Sequence, residues 1–173
     1  MNAPLQHAMF PELTAAGDAS FAFELARSRL LDAFFELEVT TAGWLRHLDE
    51  KASPRPLGQR LEQLAAHPQL EARATRKQIR QIQRLVTQCA GPLRIRNAIV
   101  HSRRDTGTRG GEACFFLATL ETALDDERSY VVVTLSEIED TVREVRRLAG
   151  QLSLYLSQAS SPRPPSPDAA GGP

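Results

Sequence analysis

Within the stretch "PLRIRNAIVHS", residues 92–102, stand Arg96, Asn97 and His101, among Leu, Ile, Ala and Val. These three types could do chemistry together. An imidazole has an ordinary pKa near 6.5 and gives or takes a proton near neutrality. A guanidinium holds a phosphate oxygen with two donors and stabilises charge that develops in a transition state. A side-chain amide can orient a hydroxyl or the imidazole. The combination suits cleavage of RNA by its own 2′-OH, a reaction whose proton transfers need no metal or cofactor. A structural alternative is a partly buried His101 bonded to Asn97, with the arginines merely solvated.

The spacing predicts a helix after Gly91-Pro92, because proline is well placed in a first helical turn. At about 100° per residue, and with Arg96 at 0°, Asn97 falls near 100°, His101 near 140°, Arg94 near 160° and Arg104 near 80°. Ile95, Ala98, Ile99 and Ser102 fall between about 200° and 300°. One half of the helix is apolar and the other carries the polar group. Asn97 and His101 are an i,i+4 pair in reach of each other.

Charge surrounds this helix. From Arg73 to Arg109 the basic residues are Arg73, Arg76, Lys77, Arg80, Arg84, Arg94, Arg96, Arg103, Arg104 and Arg109, and Asp105 is the one acid. The whole chain has formal net charge +0, so this is a local footprint of the kind that meets phosphates. Arg80, Arg84, Arg94, Arg103 and Arg104 are the candidate RNA-binding residues. The same run could also be a solvated face balanced by the acids of "ETALDDER" and the last helix.

Other chemistries have little support. Cys89 and Cys114 are the only cysteines, too few for a disulfide scaffold or a zinc site. His7, His47 and His67 have no ligand-like spacing, and "GTRGGEA" lacks the Lys-Ser/Thr of a phosphate-binding loop. No apolar run is long enough to span a bilayer. The start has neither a basic nor an apolar region of a signal peptide, so a cytoplasmic protein is expected.

The elements that must position the site follow from periodicity. Asp18 is a suitable N-cap for a helix over 19–50, where Phe23, Leu30, Leu37 and Trp44 recur every seven residues beside Phe34, Thr41 and Leu48. Phe21, Leu25, Leu31 and Phe35 widen the stripe, which therefore needs neighbours on two sides, in a bundle or across a dimer. "LGQRLEQLAA" gives a short helix with Leu57, Leu61 and Leu64 inward, and "HPQL" breaks it. Residues 71–89 give a third helix through Ile79, Ile82, Leu85, Val86 and Cys89. "RRDTGTRGGEA" reads as a loop. "ACFFLATL" and "SYVVVTL" read as a two-stranded hairpin at about 113–135. Ser136 and Glu139 form a capping box for a last helix to about Ser157, with Ile138, Val142, Val145, Leu148, Leu152 and Leu156 inward. The expected fold is mainly α: a bundle of about five helices with a small β-hairpin before the last. Residues 1–17 and the Pro/Ser/Gly tail 159–173 are expected to be disordered, around a domain at 18–158.

"LRIRNAIVHS" is similar to the signature of the HEPN superfamily (higher eukaryotes and prokaryotes nucleotide-binding domain): an Arg, a polar residue such as Asn, three residues, then His. Arg96, Asn97 and His101 match it. The long first helix, the "PLGQRLEQL" segment and the two following helices extend the resemblance over residues 20–158, with the hairpin as an elaboration. Active members are metal-independent endoribonucleases of toxin–antitoxin, phage-defence and RNA-processing systems. They typically dimerise so that two motif helices face each other. The resemblance implies that His101 is a general acid or base, Arg96 the phosphate contact and Asn97 the positioning residue. It also implies RNA, a second copy of the chain and a cognate antitoxin as partners. Other members are non-catalytic modules for dimerisation or for binding nucleotides and nucleic acids, which is the alternative function.

Overall fold

A computed structural model describes residues 11–48, 55–101, 103–118 and 131–160. Its helices are α1 (Pro11–Leu48), α2 (Leu57–Ala65), α3 (Pro68–Arg73), α4 (Arg76–Gln88), α5 (Ala90–His101) and α6 (Leu135–Ser160), and its strands are β1 (Arg103–Arg109), β2 (Glu112–Ala118) and β3 (Val131–Thr134). The chain is mainly α, with a small antiparallel sheet inserted before the last helix.

The long helices α1 and α6 pack along each other, and α2, α4 and α5 close the core around them. On α1, Phe23, Leu30, Phe34, Leu37, Thr41 and Leu48 are buried and Trp44 is half-buried. Thr41 stays in this apolar row because its Oγ1 donates to the Leu37 carbonyl at 2.7 Å. The six apolar residues expected on the last helix, Ile138 to Leu156, are all buried. The widened stripe is covered on one side only. Phe21 is 73% exposed and Phe35 65%.

Several boundaries differ from the sequence reading. Helix α1 starts at Pro11, so Asp18 is inside it and not its N-cap. Between Pro11 and Asp18 only Gly17 is a weak helix former, which a helix tolerates at about 1 kcal/mol, and proline is accommodated in a first turn. The third expected helix is divided. "HPQL" ends α2 at Ala65 as expected but does not stay a loop: His67 is the N-cap of α3, its Nδ1 accepting from the Gln69 amide. Thr75 and Gln78 then form a reciprocal capping box that starts α4. Gly91-Pro92 does not stop the chain either. Cys89 is in the right-handed helical region and its carbonyl accepts from the Leu93 amide at 2.9 Å, so α5 follows α4 almost without interruption.

The largest correction is the loop "RRDTGTRGGEA". Its first seven residues are β1, and the sheet has three strands in the order β1-β2-β3. Arg103 pairs with Ala118 and Arg109 with Glu112, so Gly110-Gly111 is a two-residue turn. Both glycines have positive φ, +62° and +83°, as tight hairpin turns require. Gly107 faces the Phe116 ring so closely that a Cβ there would lie 2.6 Å from it. The sheet is anchored through Phe115, whose ring centroid is 4.3 Å from that of Phe23. The expected turn "ETALDDER" lies outside the described residues. The last helix is capped two residues earlier than expected. Thr134 and Glu137, not Ser136 and Glu139, form its box, and the Glu112 carboxylate accepts from the Ser136 amide and hydroxyl. The helix runs on to Ser160, into the start of the expected tail.

Candidate functional site

Helix α5 is two-faced, as its angular pattern requires. Ala98 and Ile99 are buried and Ile95 is half-buried against the core. Arg94, Asn97 and His101 are exposed and Arg96 is half-buried. The Arg96 Nη1 donates to Asn97 Oδ1 at 3.1 Å. Asn97 is therefore bonded to Arg96, not to His101 as the i,i+4 spacing allowed. A hydrogen bond of this kind is worth about 1 kcal/mol, enough to bias where the guanidinium points without fixing it. His101 is the last residue of α5 and carries no side-chain hydrogen bond or ion pair among the described residues. The reading of His101 as buried and bonded to Asn97 does not hold.

Beside this face lies a groove of about 390 Å³. Glu38 of α1, the start of α2 from Leu57 to Arg60, Glu62, and Leu93, Arg96 and Asn97 of α5 line it. His101 does not. Arg60 enters from α2, with its Nη2 3.4 Å from Glu38 Oε2. Its Nε is buried and has no hydrogen-bond partner. Sequence reasoning missed Arg60. It is far from the motif in the chain, and only the packing of α2 beside α5 brings it near.

The basic segment divides in two. Arg104 is not on the arc of the motif helix, because α5 ends at His101 and Arg104 belongs to β1. Its guanidinium donates to Glu24 and Ser20, both at 2.9 Å, and lies 4.6 Å from the Phe23 ring centroid. Arg109 is bonded to Glu137. These two fasten the sheet to the helices. Arg103 is also on β1. By contrast Arg73, Arg76, Lys77, Arg80, Arg84 and Arg94 are exposed and make no ion pair among the described residues. The acids of α6 do not neutralise them. Those acids pair elsewhere: Asp140 with Arg143 and Glu144 with Arg147 within α6, Glu139 with Arg29 of α1 and Glu137 with Arg109.

The remaining candidates are structural. His67 is a buried cap and His47 stacks edge-on against Trp44. Burial, with a smaller contribution from Glu144 and against the pull of Arg147, pushes the Cys89 thiol up to about 11, the wrong direction for a nucleophile. Cys114 is buried in β2. Among the described residues no group of three or more His, Cys, Asp or Glu is placed to hold a metal ion.

No known relative decides the assignment. The chain matches no protein-family model, no curated protein and no solved structure.

Proposed function

We propose that the chain is a HEPN-like domain that cleaves RNA by 2′-OH attack without a metal. The observation that carries this is His101, exposed and without a side-chain bond among the described residues, one turn along α5 from Asn97, which is bonded to Arg96 at the edge of the polar arc. In the reaction a base takes the 2′-OH proton and the freed oxygen attacks the adjacent phosphorus. The bond from phosphorus to the 5′ oxygen breaks, and an acid gives that oxygen a proton. The products are a 2′,3′-cyclic phosphate and a 5′-hydroxyl. His101 supplies one proton transfer, and the same residue of a second copy supplies the other. Arg96 holds the non-bridging phosphate oxygens as charge builds on them, and Asn97 orients Arg96.

Binding comes from the stripe that makes no ion pair among the described residues. Arg76, Arg80 and Arg84 recur at helical spacing on α4, just before α5, and give an RNA backbone a cationic track. A homodimer is supported by the uncovered apolar face of α1, with Phe21, Leu25, Phe35 and Val39 exposed. The physiological setting we assign is cytoplasmic, in a toxin–antitoxin or phage-defence system with a cognate antitoxin protein. No helix among the described residues is long and apolar enough to cross a membrane.

Purified protein should cleave RNA in EDTA, and His101→Ala and Arg96→Ala should each lower the rate by roughly 100-fold or more. Equal activity in all three proteins would remove the catalytic assignment. The second reading is a non-catalytic module that binds nucleotides or nucleic acid, favoured by the groove beside Arg96. It predicts salt-sensitive binding and no products.

A further inference from the structure

Helix α1 carries a second stripe on the side away from the core. With Phe21 at 0°, Leu25 falls near 40°, Ser28 near 340°, Asp32 near 20°, Phe35 near 320° and Val39 near 0°, at about 100° per residue. The buried Leu30 and Leu37 fall near 180° and 160°. All six residues of the stripe are exposed, Phe21 by 73% and Phe35 by 65%. Their spacing alternates four and three residues, which is the period of a seam between two helices.

The order along the stripe is self-complementary. Take a second α1 running the opposite way, with the two-fold axis level with Leu30. Phe21 then lies opposite Val39, Leu25 opposite Phe35 and Ser28 opposite Asp32. Each apolar layer pairs one phenylalanine with one aliphatic side chain. Asp32 makes no hydrogen bond or ion pair among the described residues. In this register it gains the Ser28 hydroxyl of the second copy as a donor. Arg29 of the second copy lies only about 1.5 Å further along the axis, and within its own chain it has an exposed contact with Glu139 at 3.7 Å. The acid of the seam therefore meets a cation. Gly17 and Gly43, the two glycines of α1, also come level, and each stands in open space. Val39 and Gly43 border a groove of about 360 Å³ with Trp44 and His47, beside the place where the protruding Phe21 ring of the second copy arrives. A parallel pairing would set Asp32 against Asp32 inside an apolar seam, which is costly.

We propose that α1 pairs with α1 of a second copy, antiparallel, through this stripe. Such a contact uses the same patch on both chains and closes at two. With about 200 Å² for an aromatic side chain, Phe21 and Phe35 alone offer about 280 Å² per chain. Leu25, Val39 and the polar residues of the seam carry this toward the roughly 800 Å² per partner of a stable interface. This is not the contact between two motif helices that the family resemblance implies, because the stripe lies opposite the row packed on the core. The inference rests on the proposed function for the second copy only, not for cleavage.

The test is the mass of the full chain by sedimentation at about 50 µM, with disulfide trapping for the register. The native chain should sediment as a dimer. Phe35→Glu sets an acid against Leu25 in two symmetric layers and should weaken association by about 100-fold or more. Its circular dichroism should match that of the native chain, since the side chain is exposed. Should Phe35→Glu fail to fold, the trapping still decides. Phe21→Cys chains mixed with Val39→Cys chains should form a mixed disulfide under oxidised glutathione, and neither chain alone should form one. Disulfides within either single preparation, or none in the mixture, would overturn the register. A monomeric native chain, or a dimer that Phe35→Glu leaves intact, would overturn the seam and give the stripe to a different partner. His101→Ala should leave the mass unchanged. A dimer that cleaves no RNA would keep the seam and sink the ribonuclease reading, so the two failures are told apart.

Discussion

Arg96 and Arg104 belong to one run of positive charge, yet the fold uses them differently. Arg104 lies over Phe23 and is held by Glu24 and Ser20. Among the described residues Arg96 has only the neutral Asn97 as a partner, and it faces a groove. The first arginine has its charge paired within the chain. The second keeps most of its donors for something else. The same division separates Arg109, bonded to Glu137, from Arg76, Arg80 and Arg84 on α4. A charge run therefore says little until its members are sorted by what already neutralises them.

This contrast can be broken by substitution. The largest expected effect is on Arg96→Ala, which should lower the cleavage rate by roughly 100- to 1,000-fold and change stability by no more than about 1 kcal/mol. Equal losses of rate and stability would mean that Arg96 is structural. Next, the triple change of Arg76, Arg80 and Arg84 to Ala should weaken RNA binding and flatten its dependence on salt. On a single strand each lost phosphate contact removes about 0.7 from the logarithmic slope. An unchanged slope would show that α4 does not meet the backbone. Arg104→Ala should do the reverse of Arg96→Ala. Chemical denaturation should report a loss of about 1 kcal/mol, since the pair is partly exposed and screened, with RNA affinity unaltered.

The smallest effect concerns Glu137. The Thr134 amide hydrogen bond, aided by Arg109, holds its carboxyl below the ordinary value of 4.5 against the smaller effect of burial. A carboxyl with a lowered folded-state pKa adds stability above its unfolded pKa and loses it as pH falls through the folded one. Glu137→Gln should therefore melt a few degrees below the native chain near neutral pH. The gap should narrow as pH falls below 4.5 and close only below the lowered folded-state value. A gap that persists in acid would separate the cap from the charge.

What was legible in the sequence follows the same physical lines. Helices that bury one stripe announce themselves by period. Leu57, Leu61 and Leu64 on α2 and Ile138 to Leu156 on α6 are buried as their spacing requires. The two-faced α5 was legible for the same reason, but the sequence left His101 open between an exposed group and a partly buried one bonded to Asn97. Strand β1 was not, because an edge strand of Arg, Asp, Thr and Gly has no apolar alternation. Its signal was the Gly-Gly turn flanked by Arg109 and Glu112, a hairpin pattern overlooked among the charges. The caps were misplaced where two patterns overlap. Thr134-Glu137 and Ser136-Glu139 both fit, and the end of β3 chooses the first. Arg60 left no trace at all, since its closeness to Arg96 arises from packing between two helices.

The central claim is that the exposed face of α5 performs chemistry and does not only bind. The most direct measurement is the end-group analysis of RNA incubated with the native chain and with His101→Gln in chelator. The account predicts 2′,3′-cyclic phosphate and 5′-hydroxyl termini from the native chain, absent or reduced by roughly 100-fold with His101→Gln. Intact RNA with the native chain, or the same termini at the same rate from both proteins, would contradict it.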